Sequence, residues 1–306
     1  MIRYGLHLYT YERQISDRTW DLLPRLKSFG YQGCEVPLMP VEMDQFDSTL
    51  ARDKLEEYGM GAVGSTGMTP DMCIASDDHQ VREKGMKHMK HATDLTAALG
   101  ASVLSGALYA AFGWRPPAGR TRQQWRQSVS SLRELARYAS DHGVTLAIEP
   151  LNRYEHYFLN TVEQAVVLAN EVGEPNLKVH VDTYHMNIEE KDLYAAVVSA
   201  GSLLGHVHCS ENDRGIPGTG HIDWQGLFRG LCDLRYKGWI VVESFFEPIP
   251  SIVDFSPIWR QLAKDADTLA VDSLRFLRKG LGCLEAAHAV GRKKETTGDG
   301  KRKAKT

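Results

Sequence analysis

Eight times along the chain a short apolar run is followed by an amphipathic helical pattern, roughly every 35 residues, and this alternation restricts the fold more than any single motif. The strand-like runs are Tyr4–Tyr9, Gly33–Leu38, Gly61–Thr66, Ser102–Leu108, Val144–Glu149, Leu177–Asp182, Leu203–His208 and Trp239–Phe245. Between and after them the apolar spacing predicts helices over 18–28, 48–58, 78–99, 121–142, 161–171, 191–200, 224–234 and 259–278. Gly30, Gly100, Gly143 and Gly238 each stand shortly before a strand, where a helix C-terminus needs a residue free to turn left-handed. Eight such units in series point to an α/β chain forming a single (β/α)8 TIM barrel. An open doubly wound sheet would normally carry a Gly-rich turn after its first strand, and LHLYTYERQ has none.

At 306 residues and 42% hydrophobic content the chain can bury the core of one large domain, placed here at 1–288. The remainder, 289–306, consists almost entirely of GRKKETTGDGKRKAKT (291–306), which has seven Lys or Arg against two acids and almost nothing to bury, so a disordered basic tail is expected. No apolar run is long enough to span a membrane. Met1 leads directly into a strand-like pattern without the apolar core and cleavage site of a secretory signal, so a cytoplasmic chain is expected. Five cysteines, none in a CxxC pair, argue against a disulfide framework or a zinc ribbon. A net charge of −3 gives no general attraction to nucleic acid.

Barrel closure brings every strand's C-terminal end to one rim, and four of these ends carry metal-type ligands: Glu149, Asp182, His208 and Glu243. Three carboxylates crowded together need a counter-cation, and one imidazole beside them makes an oxygen-rich set suited to Mn²⁺, Mg²⁺ or Co²⁺. His180 and His206 precede Asp182 and His208 by two residues and so point into the same interior one layer deeper, where they are expected as hydrogen-bonded core groups. Arg153, Glu155, His185, Glu211 and Arg214 follow closely on the ligand-bearing strands and could clamp a polyhydroxylated substrate or form surface ion pairs.

At these residues the chain resembles the ketose 3-epimerases of the D-tagatose 3-epimerase and D-psicose (D-allulose) 3-epimerase family, within the xylose-isomerase-like barrels. EPLNRYE (149–155), VDTYHMNIEE (181–190), HVHCSENDR (206–214) and VVESF (241–245) carry the likeness, and the barrel pattern extends it from about Tyr4 to Arg278. The resemblance implies one divalent cation per subunit, Mn²⁺ foremost with Mg²⁺ or Co²⁺ as alternatives, bound by Glu149, Asp182, His208 and Glu243. It also implies that Glu149 and Glu243 double as the acid/base pair, and that Glu155, His185 and Arg214 hold substrate oxygens. Its remaining implications are a small ketose as substrate, no nucleic acid or membrane partner, and a homodimer or homotetramer. Departures lie on the N-terminal side: His7 stands where the family often has an aromatic, and Ser65 and Thr66 end the third strand where some members have cysteine. The family's tryptophan after strand four corresponds to Trp114, although the spacing also permits Phe112, and Phe245 follows the last ligand at the sugar side.

The expected chemistry is epimerisation at C3 of free ketohexoses, such as D-fructose/D-psicose or D-tagatose/D-sorbose, through an enediolate. One carboxylate would take the C3 proton and a second would return a proton to the opposite face, roles that fit Glu149 and Glu243. An aldose–ketose or hydroxypyruvate-type sugar isomerase on the same ligand set is the alternative. A sugar-binding module would have no use for two opposed carboxylates on a metal.

Overall fold

The computed structural model of the chain describes residues 1–41, 43–114, 116–247 and 258–282. Eight parallel strands close into a barrel in sequence order: β1 (Arg3–His7), β2 (Gly33–Pro37), β3 (Gly61–Ser65), β4 (Val103–Gly106), β5 (Thr145–Ile148), β6 (Leu177–Asp182), β7 (Leu204–Cys209) and β8 (Trp239–Val242). Closure is made by β1 against β8, with Gly5 opposite Val241. The helices are α1 (Leu23–Phe29), α2 (Ser48–Glu57), α3 (His79–Ala98), α4 (Arg122–Asp141), α5 (Val162–Val172), α6 (Thr183–Glu189), α7 (Leu193–Ala200) and α8 (Trp224–Asp233), followed by α9 over 266–282. The expected barrel is therefore observed, and the expected tail, 289–306, lies outside the described residues.

Three helical expectations are corrected. The segment expected as one helix over 18–28 is a 3-10 helix, Asp17–Leu22, followed by α1; Pro24 has no N–H to donate back, so the α ladder restarts at that residue. An additional helix, α6, begins directly at the end of β6, because Asp182 is at once the last strand residue and the N-cap. The last helix starts at 266 rather than 259, and Trp259 is 80% exposed.

Alternation along each strand sorts the side chains into two layers. Leu6, Cys34, Val36, Leu146, Ile148, Val179, Val181, Val207, Ile240 and Val242 face the helices and belong to the main core. The opposite parity fills the barrel. At its floor Trp239, Val241 and Val63 form a separate apolar cluster. The Trp239 indole lies where side chains from β1 to β3 would otherwise be: a Cβ at Gly33 would meet the ring at 2.5 Å and the Gly61 carbonyl oxygen at 2.3 Å. One large ring against glycines is a way to reach interior packing density where eight side chains would not fit. Above this floor the filling turns polar, with Glu35, Ser105, His180 and His206 fully buried.

Candidate metal centre

The four strand-end ligands meet at the barrel's C-terminal rim. One donor atom each from Glu149, Asp182, His208 and Glu243 lies within 4.8 Å of all the others. Local backbone geometry explains their aim. Glu149 and Glu243 stand one residue past their strands yet keep ladder-type bonds, the Glu149 N–H donating to Gly106 O at 3.0 Å and the Glu243 N–H to Cys209 O at 3.2 Å. Asp182 spends Oδ1 on capping α6, accepting from the Tyr184 N–H at 2.9 Å, which leaves Oδ2 for the centre. A register shift in β6 between Val179 and His180 sits just before that residue, and such irregularities re-aim side chains near functional sites.

Glu149 Oε1 and His208 Nδ1 are buried and have no hydrogen-bond partner among the described residues. Nδ1 lies 3.3 Å from Glu243 Oε2 and 3.8 Å from Glu149 Oε1. Unsatisfied buried donors and acceptors are costly, and three oxygens with one imidazole nitrogen converging on a point are a donor set that fits a hard or borderline divalent cation. A second group, His180, His206 and His208, lies beneath and shares His208.

Charge is distributed unevenly over this set. Burial drives the Glu149 carboxyl well above the ordinary carboxylate range, with His208 opposing and Glu243 adding to the rise. Burial also acts to raise Glu243, but the charges of Arg214 and His208 outweigh it and hold that carboxyl low. Arg214 supplies much of the compensation: its Nη1 donates to Asp182 Oδ2 and to Glu243 Oε2, both at 2.8 Å. Its guanidinium lies 4.0 Å from the Tyr184 ring centroid, and its backbone sits at φ 67°. A non-glycine residue in that region is sparsely populated and tends to mark a functional constraint.

The other expected site residues divide into those brought to the centre and those that are not. His185 is buried, its Nε2 3.6 Å from Asp182 Oδ2 and 3.8 Å from Glu149 Oε1, with Nδ1 accepting from the Asn152 N–H at 3.1 Å. Glu155 accepts from Asn152 Nδ2 at 2.9 Å, and burial, partly offset by Arg214, pushes its carboxyl up to about 7. His7 Nε2 lies 4.0 Å from Glu243 Oε1 and 3.3 Å from Ser65 Oγ, so the ends of β1 and β3 border the ligands. Phe245 is buried and its N–H donates to the Arg214 carbonyl oxygen at 2.9 Å. Trp114 stays on the loop after β4, 38% exposed, with its ring edge-on to Tyr157 at 5.3 Å.

Two of the clamp candidates serve other purposes. Arg153 is exposed and makes a two-pronged pair with Glu189 at 2.8 Å through both Nε and Nη2. Glu211 accepts from the N–H groups of Asn212, Gly218 and Ile222 and from Trp224 Nε1, so it clasps the loop between β7 and α8. His180 is also corrected: it is fully buried as expected, but neither ring nitrogen has a hydrogen-bond partner among the described residues. Its parity fixes its position, and Glu149 Oε2, at 3.7 Å from Nδ1, lies beyond hydrogen-bond reach.

Glu35 was not among the expected residues. It sits mid-strand in β2, fully buried, and bonds to both His206 and His208. Burial acts to raise its carboxyl, but the two imidazoles more than reverse this and hold it well below the ordinary range. The available signal was a lone charge inside GCEVP, an otherwise uncharged strand, since a buried carboxylate must have partners. Those partners lie on β7, about 170 residues later, at separations no local pattern encodes.

With this geometry in place, comparison with known proteins is direct. The sequence profile of the xylose isomerase-like TIM barrel family matches residues 23–280. An L-ribulose 3-epimerase from Methylomonas sp. is 37% identical over 252 residues, covering 82% of this chain and 87% of that protein. This chain belongs to the ketose 3-epimerases. A ketose 3-epimerase from Arthrobacter globiformis is 34% identical over 264 residues, covering 85% of this chain and 90% of its own length. The crystal structure of a Methylomonas sp. D-allulose 3-epimerase in complex with D-allulose superimposes with a TM-score of 0.86 at 34% identity, covering 91% of this chain and 96% of that one. Ketose 3-epimerases are isomerase-class enzymes, and the barrel, the ligand cluster and the family agree. Among the described residues no helix is long and apolar enough to cross a membrane.

Proposed function

We propose that this ketose 3-epimerase acts on free ketohexoses, of the D-fructose/D-psicose or D-tagatose/D-sorbose kind, with one divalent cation per subunit held by Glu149, Asp182, His208 and Glu243. The observation that carries this reading is that two glutamates, from the ends of β5 and β8, belong to one largely buried cluster of possible ligands. Mn²⁺ is the preferred ion, with Mg²⁺ or Co²⁺ as alternatives, because three of the four donors are carboxylate oxygens. The relative named for D-allulose supports a six-carbon ketose, and the one named for L-ribulose adds five-carbon ketoses to the range to be tested.

Bound at this cluster, a dication supplies electrostatic stabilisation for the negative charge that develops on the substrate's C2 and C3 oxygens. The chain's own residues do the rest. One of Glu149 and Glu243 takes the C3 proton, and the other delivers a proton to the opposite face, which inverts C3. Arg214, His185 and Glu155 hold hydroxyl groups and keep the reacting carbon between the two glutamates. His7, Ser65, Trp114 and Phe245 border the distal end of the sugar and select among ketoses. The enzyme works in the cytoplasm as a homodimer or homotetramer, and residues 289–306 are dispensable for turnover.

Hydrogen exchange tests the reaction. A carboxylate open to solvent between turnovers exchanges its proton with water, so D-fructose or L-ribulose turned over in D2O is expected to carry deuterium at C3. Label confined to C1, or accumulation of aldose without a C3 epimer, would show a C1–C2 isomerase on the same ligands.

A further inference from the structure

Glu35 joins two strands that are not neighbours in the barrel. From β2 it reaches the imidazoles of β7, with Oε1 2.9 Å from His208 Nε2 and Oε2 2.7 Å from His206 Nε2. Ser105 Oγ donates to Oε1 at 3.3 Å. All four side chains are fully or almost fully buried, so no competing solvent donor reaches the carboxylate.

An ionised carboxylate only accepts, which requires each imidazole to carry its proton on Nε2. In neutral His208 the other ring nitrogen, Nδ1, is then a bare lone pair, and Nδ1 is the atom facing Glu243 Oε2 at 3.3 Å and Glu149 Oε1 at 3.8 Å. Had the proton been on Nδ1, an N–H would point into the cluster and His208 could not ligate. We infer that Glu35 is a positioning residue of the metal centre: its carboxylate fixes the tautomer and the ring plane of His208, and so delivers the Nδ1 lone pair to the ion. The two bonds differ in consequence. His206 is not one of the four ligands at the rim, so its bond to Glu35 anchors the carboxylate, whereas the bond to His208 sets the site. The inference rests on the metal reading proposed above, and an ion held by a histidine whose other nitrogen is bonded to a carboxylate is a general way to raise ligand basicity.

Two measurements test it without turnover. In the ¹⁵N-histidine-labelled wild-type protein saturated with Mg²⁺, long-range ¹H–¹⁵N correlation is expected to find the His208 proton on Nε2, with the signal assigned by its loss in His208→Gln. A proton on Nδ1 would overturn the inference. Calorimetric titration with Mn²⁺ is expected to give a Kd weakened by about 10- to 100-fold in Glu35→Leu, the usual cost of losing such an outer partner. His206→Leu, which breaks only the anchoring bond and leaves the Glu35–His208 bond in place, is expected to weaken Kd clearly less than Glu35→Leu does. Equal weakening in both variants, or a wild-type Kd in Glu35→Leu, would reduce Glu35 to a strand tie. Should Glu35→Leu fail to fold, the wild-type tautomer still decides. A wild-type chain that takes up neither ion would instead remove the metal reading, and this inference with it.

Discussion

The two halves of the barrel are built alike and equipped differently. Strands β5 to β8 each end in a candidate ligand, and the segments that follow them add Glu155, His185 and Arg214. Strands β1 to β4 end in His7, Pro37, Ser65 and Gly106 and contribute no carboxylate to the rim. The supports differ too. In the second half α6 starts on the ligand Asp182 itself, and Glu211 clasps the loop after β7 with four bonds. In the first half β3 and β4 are followed by connections about as long as those after β5 and β7, residues 66–78 and 107–121, whose only regular element among the described residues is one short 3-10 turn. The charged cluster thus lies on the side braced by α6 and Glu211, and His7 and Ser65, proposed above to border the rest of the sugar, lie on the other. On the function proposed above, the difference teaches that reaction and preference can change separately in one closed sheet.

Removing a carboxylate proposed above as catalytic is the strongest challenge to that division. Glu243→Gln keeps an oxygen for the ion but loses the basic group, and kcat is expected to fall by at least about 10²-fold, the size of a general acid/base contribution. A near-wild-type kcat, measured as C3 epimer formed per unit time, would place the acid/base work elsewhere.

A second test uses pH and concerns Glu155, again in the charged half. Its carboxyl stands at about 7 in the fold against an ordinary 4.5. Between those values it stays protonated in the folded chain while the unfolded chain ionises. The resulting stability is complete below about pH 4.5 and is lost as pH rises through about 7, by at most about 3 kcal/mol. For the metal-free protein Tm should therefore decline from pH 5 to 7.5, and Glu155→Gln should flatten the decline. An unchanged slope in the variant would show that another group carries it.

The smallest effect is expected in the first half. Ser65→Ala removes the hydroxyl that contacts His7 and is expected to lower kcat/KM for one or another ketose by about fivefold, the worth of one neutral hydrogen bond near 1 kcal/mol, with Mn²⁺ affinity unchanged. A weakened Mn²⁺ Kd would break the division between halves.

What could be read in advance follows the same division. Strand count and barrel closure were legible because burial on both faces leaves short apolar runs at a regular spacing. The ligands were legible because each is a charged or imidazole residue at the end of such a run. Arg153 and Glu211 shared that neighbourhood but not the direction, since side-chain aim within a loop depends on partners such as Glu189 and the backbone of residues 212–222. Glu35 escaped for the opposite reason: it lies inside a strand, and its partners are on the far wall of the barrel. The onset of α6 was hidden because Asp182 serves strand, cap and centre at once, and local patterns assign a residue to one element only.

Pairing of β1 with β8 has a consequence for the order of events during synthesis. The first strand made must wait for the last before its outer edge is covered, and the fourth ligand, Glu243, follows that last strand at once. A nascent chain halted before residue 239 can therefore present Glu149, Asp182 and His208 but has neither a sealed sheet nor a full donor set. On the metal reading proposed above, ion capture and ring closure arrive together, in the same few residues, so tight retention of an ion would report that translation has passed the last strand.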